Sequence, residues 1–296
     1  MKFWQAVAFL ETDQLLEVAQ AADRLGFDSI AVSDHVFSPK DRKSKYPYTP
    51  TGEPFWSPET PWPDPWVLIS AMAAVTTRLK FSTNVYIAPG RDLFTVAKLV
   101  SSAAVISGGR VSLGTAAGWC QEEFELAGQD FHNRGKRLNE MMVALRALWQ
   151  GGFQEFHGTY YDFEPLQISP VPPEPIPIYI GGDSEPALRR AATLADGWIG
   201  NAYTPEDADA VLDRLHGHLK AAGRTTDGFE TVMALYAEPT PDVLRRFEDR
   251  GVTALMCAPW MVAQTSDGNF ASTVKDKVDA MEAFAEKVNL QAAKTG

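Results

Sequence analysis

The sequence predicts a (β/α)8 barrel, a TIM-barrel architecture with insertion loops at its carboxyl-terminal face. Two observations carry this. Short apolar, β-branched runs alternate with amphipathic helical stretches from end to end, which implies a parallel sheet covered by helices. Eight such units fit within the 296 residues, the span of one barrel. An open doubly wound sheet is the other architecture the alternation allows, because alternation does not prove closure. No linker interrupts the pattern, so a single domain over 1–296 is expected.

Each element has a local signal. The first strand covers Phe3 to Phe9, and its aromatic start reads as strand rather than signal peptide. Leu15, Val18, Ala19, Ala22 and Leu25 then share one helical face, and Gly26 stops that helix. Ser29 to Ser33 is the second strand. A helix from Trp66 to Thr76 precedes strand three, Leu79 to Val85. Phe94 to Ser107 is helical and ends at Gly108-Gly109, before strand four, Arg110 to Gly114. A helix spans Lys136 to Trp149. Strand five is Ile176 to Ile180, followed by the helix Ser184 to Ala195. Strand six is Gly197 to Asn201 and the next helix Pro205 to Ala222. Thr231 to Ala237, the Pro241–Arg250 helix, Val252 to Ala258 and a helix from Thr273 to Val288 complete eight strands and eight helices. Three stretches lack any period: 36–64, 151–175 and 259–271. The first holds seven prolines and six aromatic residues. A structureless loop of that length is uncommon in a compact domain; leaving directly after His35 it is expected to be a substrate-contacting lid, the plainer alternative being a proline-rich excursion packed on the barrel rim.

Composition removes several functions. Net charge is −11, which repels phosphate backbones and argues against a nucleic-acid partner. No apolar run reaches the ~18 residues that span a bilayer, so no membrane role is expected. Cys120 and Cys257 have neither disulfide-framework nor CxxC spacing, and a reducing cytoplasm is the expected setting. The only HxH pair, His216-Gly217-His218, lies inside a helix where i and i+2 face apart. No metal site is therefore expected, and no GxSxG or Cys-His arrangement points to nucleophilic catalysis.

The chemistry gathers at strand ends. Strand two delivers Asp34 and His35 at its carboxyl end, where parallel α/β folds place their active sites. The plainer alternative is a turn in which Asp34 caps its own backbone. Strand three ends at Asn84-Val85, and strand four runs into Gly114 through Gly118-Trp119, where small residues let backbone approach a flat or charged group. Strand five runs into Gly181-Gly182-Asp183-Ser184, a helix N-terminus able to bind phosphate. Asp183 and Glu185 weigh against an anion there. Lys40, Arg42, Lys43 and Lys45 form a basic run, either a solvated loop or a steering patch for an anionic ligand.

Taken together these stretches resemble the luciferase-like monooxygenase family, and within it the branch that uses the deazaflavin coenzyme F420. The resemblance rests on Leu25 through Ser29, Ser33-Asp34-His35, Asp64-Pro65-Trp66-Val67-Leu68, Arg78 through Val85, Ala97-Lys98-Leu99, Ile106 through Arg110, Gly114 through Trp119, Ile178 through Gly182 and Ala195 through Trp198. It covers about residues 1 to 201 and little beyond.

The resemblance implies a flavin or deazaflavin held at the carboxyl-terminal face. Asp34 would lie on the polar edge of the ring, with His35 near the hydride-transferring carbon or the substrate. His35 becomes the candidate proton donor, since an imidazole ordinarily titrates near neutrality. A non-proline cis peptide is implied at Asn84-Val85, and phosphate contacts at Gly118, Trp119, Gly181, Gly182 and Ser184. Two departures matter. Asp92-Leu93 follows Arg91 where similar proteins carry a proline. Pro39 and Trp119 stand where the glucose 6-phosphate-oxidising branch has tryptophan and glutamate, so that substrate is not expected. The expected activity is hydride transfer between F420 and a small organic substrate. The alternative is an FMN-dependent monooxygenase fed by a separate reductase, and a non-catalytic ligand-binding barrel is a third reading. A homodimer is expected by analogy.

Overall fold

The computed structural model describes residues 1–262 and 272–290. Among these, eight parallel strands close a barrel. They are β1 (Lys2–Ala6), β2 (Ser29–Val32), β3 (Lys80–Thr83), β4 (Val111–Thr115), β7 (Ile178–Gly181), β8 (Gly197–Tyr203), β9 (Glu230–Leu235) and β10 (Ala254–Cys257). The two labels between β4 and β7 belong to a hairpin, β5 (Gln154–His157) and β6 (Asp162–Leu166). Closure is carried by β1, which pairs with β2 through Gln5 opposite Ile30 and with β10 through Trp4 opposite Met256. That pairing decides between barrel and open sheet.

The helices are α1 (Leu15–Leu25), α2 (Pro65–Ala74), α3 (Leu93–Ile106), α4 (Gln121–Leu126), α5 (Arg134–Leu148), α6 (Glu185–Leu194), α7 (Pro205–Ala221), α8 (Pro241–Asp249), α9 (Pro259–Val262) and α10 (Val274–Lys287). Their ends follow side-chain chemistry. Asp64 caps α2 by accepting from the Trp66 and Val67 N–H groups at 3.0 Å, with Pro65 in the first turn. Asp92 caps α3 through the Thr95 N–H at 2.9 Å. Gly26 ends α1 at φ 95°, a left-handed conformation suited to glycine.

The barrel interior is packed. Trp4, Ala31, Ile199, Val232 and Ala254 fill it, with Val85, Tyr179 and Met256 against them. A larger apolar layer lies between strands and helices, where Phe27, Phe81, Trp66 and Trp198 are fully buried.

Two stretches without a sequence period have structure. Residues 151–175 contain the β5–β6 hairpin, where Phe156 and Phe163 stack at 6.0 Å and Phe94 meets Phe163 edge-on. Each strand is too short, and too interrupted by charge, for an alternation to register. Residues 259–262 form α9, and the rest of the 259–271 stretch lies outside the described residues.

Candidate active site

A cleft of about 1050 Å³ opens at the carboxyl ends of the strands. Every residue nominated from the sequence lines it. Asp34 and His35 arrive from β2, and Asn84 and Val85 from β3. Gly118 and Trp119 follow β4, while Gly181, Gly182 and Ser184 come from the turn between β7 and α6.

Asp34 sits at the base of this cleft with its carboxylate occupied. Arg91 grips it in a two-pronged pair, Nη1 to Oδ2 at 2.7 Å and Nη2 to Oδ1 at 2.8 Å, and the Ile87 N–H donates to Oδ2 at 3.0 Å. Arg91 itself lies over the Tyr86 ring at 4.2 Å. Burial pushes the Asp34 carboxyl upward, against the pull of Arg91 and Ile87. Burial also works against the Arg91 charge, and Asp34 beside it more than restores that charge. With three N–H donors and a cation that does not deprotonate, Asp34 is the ionised partner. It ties β2 to the segment after β3. The sequence singled out Arg91 only as the matched residue before the Asp92-Leu93 departure.

His35 is held by a residue that the sequence reading missed. Its Nδ1 lies 3.1 Å from Glu123 Oε1, and the same oxygen accepts the Val36 N–H at 3.2 Å. Glu123 belongs to α4, too short a helix to carry a periodic signal. Three indoles box the imidazole, with ring centroids at 5.2 Å for Trp62, 5.4 Å for Trp56 and 5.9 Å for Trp119.

The 36–64 loop supplies much of this box. Trp56 is its hub, in edge contact with Tyr46 at 4.9 Å and Trp62 at 5.7 Å, and near Phe9 at 5.9 Å. The loop is fastened to α4. Glu122 accepts the Lys43 N–H at 2.6 Å and the Ser44 N–H at 3.1 Å, and the Gln121 N–H donates to Ser44 Oγ at 2.8 Å. Burial opposes ionisation of Glu122, but these donors outweigh it and hold the carboxyl at about 2. The basic run is dispersed by this arrangement: Arg42 lies over Trp119, Lys43 donates through its backbone and Lys45 lines the cleft.

The cleft floor is shaped for close approach. The Asn84–Val85 peptide is cis, and Asn84 Nδ2 donates to Met256 Sδ at 3.2 Å. A Cβ on Gly181 would stand 2.6 Å from Val85 Cγ1. Gly118 takes φ +86°, and a Cβ there would lie 2.8 Å from both Ile87 and Phe124. Glycine is required at both positions.

The far wall is cationic, although the protein is acidic overall. Arg134, Lys136, Arg189 and Arg190 line it. Arg190 is only 8% exposed. Its Nη2 donates to Gly135 O at 2.9 Å and its Nε to Asn139 Oδ1, while Nη1 has no acceptor among the described residues. No carboxylate forms an ion pair with Arg134 or Arg190 among the described residues. Burial, with Arg134 nearby, presses the Arg190 pKa down, yet a guanidinium keeps its charge. A buried, unbalanced cation calls for an anion. Of the acids that weighed against one, Glu185 is engaged elsewhere and Asp183 stays at the cleft. Glu185 pairs with Arg214 Nε and His218 Nε2, both at 2.7 Å, and Tyr203 Oη lies 3.5 Å from Asp183. Arg134 and Arg190 stand 56 positions apart, and only the packing of α5 on α6 brings them together. Among the described residues no group of three His, Cys, Asp or Glu is placed to hold a metal ion, and no helix is long and apolar enough to cross a membrane.

Comparison with known proteins bears on the fold and the family. An uncharacterised protein of Mycobacterium tuberculosis is 36% identical over 288 residues, covering 97% of this chain and 99% of the relative. An F420-dependent glucose-6-phosphate dehydrogenase of Microbacterium testaceum is 29% identical over 78% of this chain and 65% of its own. The solved structure of monooxygenase RslO1 from Streptomyces bottropensis superposes with a TM-score of 0.73 at 18% identity, covering 98% of this chain and 99% of that one, a likeness of fold. The family described as luciferase-like monooxygenase matches residues 10–246, and the chain belongs to that family.

Proposed function

We propose that this protein is an F420-dependent oxidoreductase that moves a hydride between the deazaflavin and a small organic substrate. The observation that carries the proposal is the meeting of two chemistries in one cleft. A boxed imidazole lines it, and so do Arg134 and Arg190, which have no carboxylate partner among the described residues. FMN carries one phosphate. The F420 tail is polyanionic, and it accounts better for four basic side chains on one wall.

The residues suit such a group. Gly118 and Gly181 line the cleft with backbone, their missing side chains making room for Ile87, Phe124 and Val85. The N-terminus of α6 at Ser184 has no side-chain cap, and the cationic wall takes the acidic tail. The coenzyme supplies the hydride chemistry when bound. The protein orients the reactants, excludes water with the aromatic lid, and holds a proton at His35. Asp34, fixed by Arg91 at the base of the cleft, would bound the polar side of such a ring. The F420-dependent relative supports the coenzyme, while Pro39 and Trp119 argue against its sugar phosphate. The same reading includes a separate reductase partner if the cofactor is FMN, and a cytoplasmic setting.

A homodimer belongs to this proposal too. α2 and α3 are apolar around much of their circumference, and Val67, Val105 and Ile106 remain exposed on them. Helices of that kind are usually covered, and a second copy of this chain is the proposed cover. Light scattering checks it: a single-chain mass at micromolar concentration refutes it.

The deciding experiment is equilibrium binding of F420 and of FMN to purified apoprotein. Binding of F420 in preference to FMN is expected. Tight FMN binding without F420 binding would replace the proposal with a two-component flavin monooxygenase. Binding of neither would remove the redox reading and leave a ligand-binding barrel.

A further inference from the structure

We infer that Glu123 is the positioning residue of His35, fixing which imidazole nitrogen carries the proton and which one faces the reactants. Glu123 is 7% exposed, and its Oε1 already accepts the Val36 N–H. An ionised carboxylate can only accept, so the ring nitrogen 3.1 Å away must donate. Nδ1 therefore carries a hydrogen, and neutral His35 presents the bare Nε2.

Three further features support the assignment. His35 lines the cleft whereas Glu123 does not, so the pair points from protein toward reactants. Nε2 has no partner among the described residues, and it is not a buried orphan. The surrounding indoles of Trp56, Trp62 and Trp119 limit rotation of the imidazole, so one hydrogen bond suffices to set its direction.

In the neutral protein Nε2 is thus a proton acceptor toward the cleft. When Nε2 gains a proton, the imidazolium lies against the Glu123 carboxylate, and the same proton can be returned. Asp34 cannot take over this role, since both of its oxygens face Arg91 and Ile87. Glu122, the neighbouring carboxylate, is engaged by Lys43 and Ser44.

The consequence for turnover rests on the oxidoreductase reading; the tautomer does not. The test is nitrogen-15 NMR of histidine-labelled apoprotein at neutral to slightly alkaline pH, with the His35 signals identified by their loss in His35→Ala. The wild type should show a protonated Nδ1 and a bare Nε2. Glu123→Gln keeps an acceptor oxygen in place, and retention of the tautomer is expected there. Glu123→Ala should shift the signals toward the mixture of a free imidazole, with circular dichroism unchanged. A wild-type His35 with Nε2 protonated and Nδ1 bare overturns the inference, as does an unmoved tautomer in folded Glu123→Ala. If Glu123→Ala does not fold, the wild-type spectrum decides alone. With a turnover assay in hand, Glu123→Ala should lower kcat by at least tenfold while cofactor affinity stays within a factor of about three, and Glu123→Gln should recover most of that loss. Should neither cofactor bind, the tautomer result stands and only the oxidoreductase reading falls.

Discussion

Arg91 and Asp34 form a two-pronged ion pair at 2.7 and 2.8 Å, with the carboxylate 2% exposed and the guanidinium 19% exposed. The pair joins the end of β2 to the turn that leads into α3, across the floor of the cleft. Removing one partner strands the other charge away from water. Arg91→Ala should therefore cost about 3 kcal/mol, within the range for breaking a buried pair. Arg91→Lys should also be destabilising, because an ammonium cannot reproduce the fork. Urea unfolding monitored by circular dichroism measures both, and an unchanged midpoint in Arg91→Ala would show that the pair contributes nothing.

His35 should matter for turnover and little for cofactor retention. Its ring packs against side chains of the lid and of the β4–α4 segment, and no hydrogen bond or ion pair joins it to Arg134 or Arg190 among the described residues. For His35→Ala, turnover is expected to fall by ~10²-fold or more with coenzyme affinity largely kept. Steady-state kinetics alongside a binding titration separate the two. Equal loss of both would make His35 a cofactor-binding residue instead.

The cationic wall should govern coenzyme affinity. Arg190→Met removes a buried charge that has no carboxylate partner, and a charged hydrogen bond is worth ~1.5–3 kcal/mol. Affinity for the anionic coenzyme should drop by about tenfold or more, since each ~1.4 kcal/mol is one factor of ten. The difference between wild type and variant should shrink at high salt as the charge is screened. Calorimetric titration at two ionic strengths checks both points.

The lid should loosen in acid. Glu122 titrates at about 2 in the folded protein against an ordinary 4.5. A folded-state value below the unfolded one means its contribution is complete above about pH 4.5 and is lost as pH falls toward 2. Limited proteolysis of the 36–64 loop should accelerate over that range. Glu122→Gln should show faster cleavage already at neutral pH. A variant that resists protease as well as the wild type would remove Glu122 as the fastening.

Gly118→Ala tests the floor. The φ of +86° and a Cβ 2.8 Å from Ile87 and Phe124 both oppose a side chain, and a left-handed non-glycine residue costs ~1–3 kcal/mol. Lower thermal stability and weaker coenzyme binding are expected together.

Much of this molecule is legible in its sequence, for reasons that differ by element. The helical and strand periods of the barrel units report which face of each segment is buried, and burial is a local property. Asp34-His35, Asn84-Val85 and the two glycine turns are readable because each stands where a strand ends. The β5–β6 hairpin is not, because two short strands with exposed, charged faces show no clean alternation. Glu123 and Arg190 are not either. Each is one of many charged residues on a helix, and nothing nearby marks it out.

What the sequence determines by itself is therefore the order of the strands and the residues at their carboxyl ends. Tertiary structure alone decides the rest. Closure depends on β1 meeting β10, some 250 residues away. The roles of the charges depend on which partner each one finds. Arg91 reaches Asp34 from 57 residues away and Glu123 reaches His35 from 88. Arg190 and Arg134 find no counter-charge among the described residues. A hydrogen bond or an ion pair acts over a few ångströms of space and is indifferent to distance along the chain, so only the closed barrel shows that Asp34 is tied down while His35 is left facing the cleft.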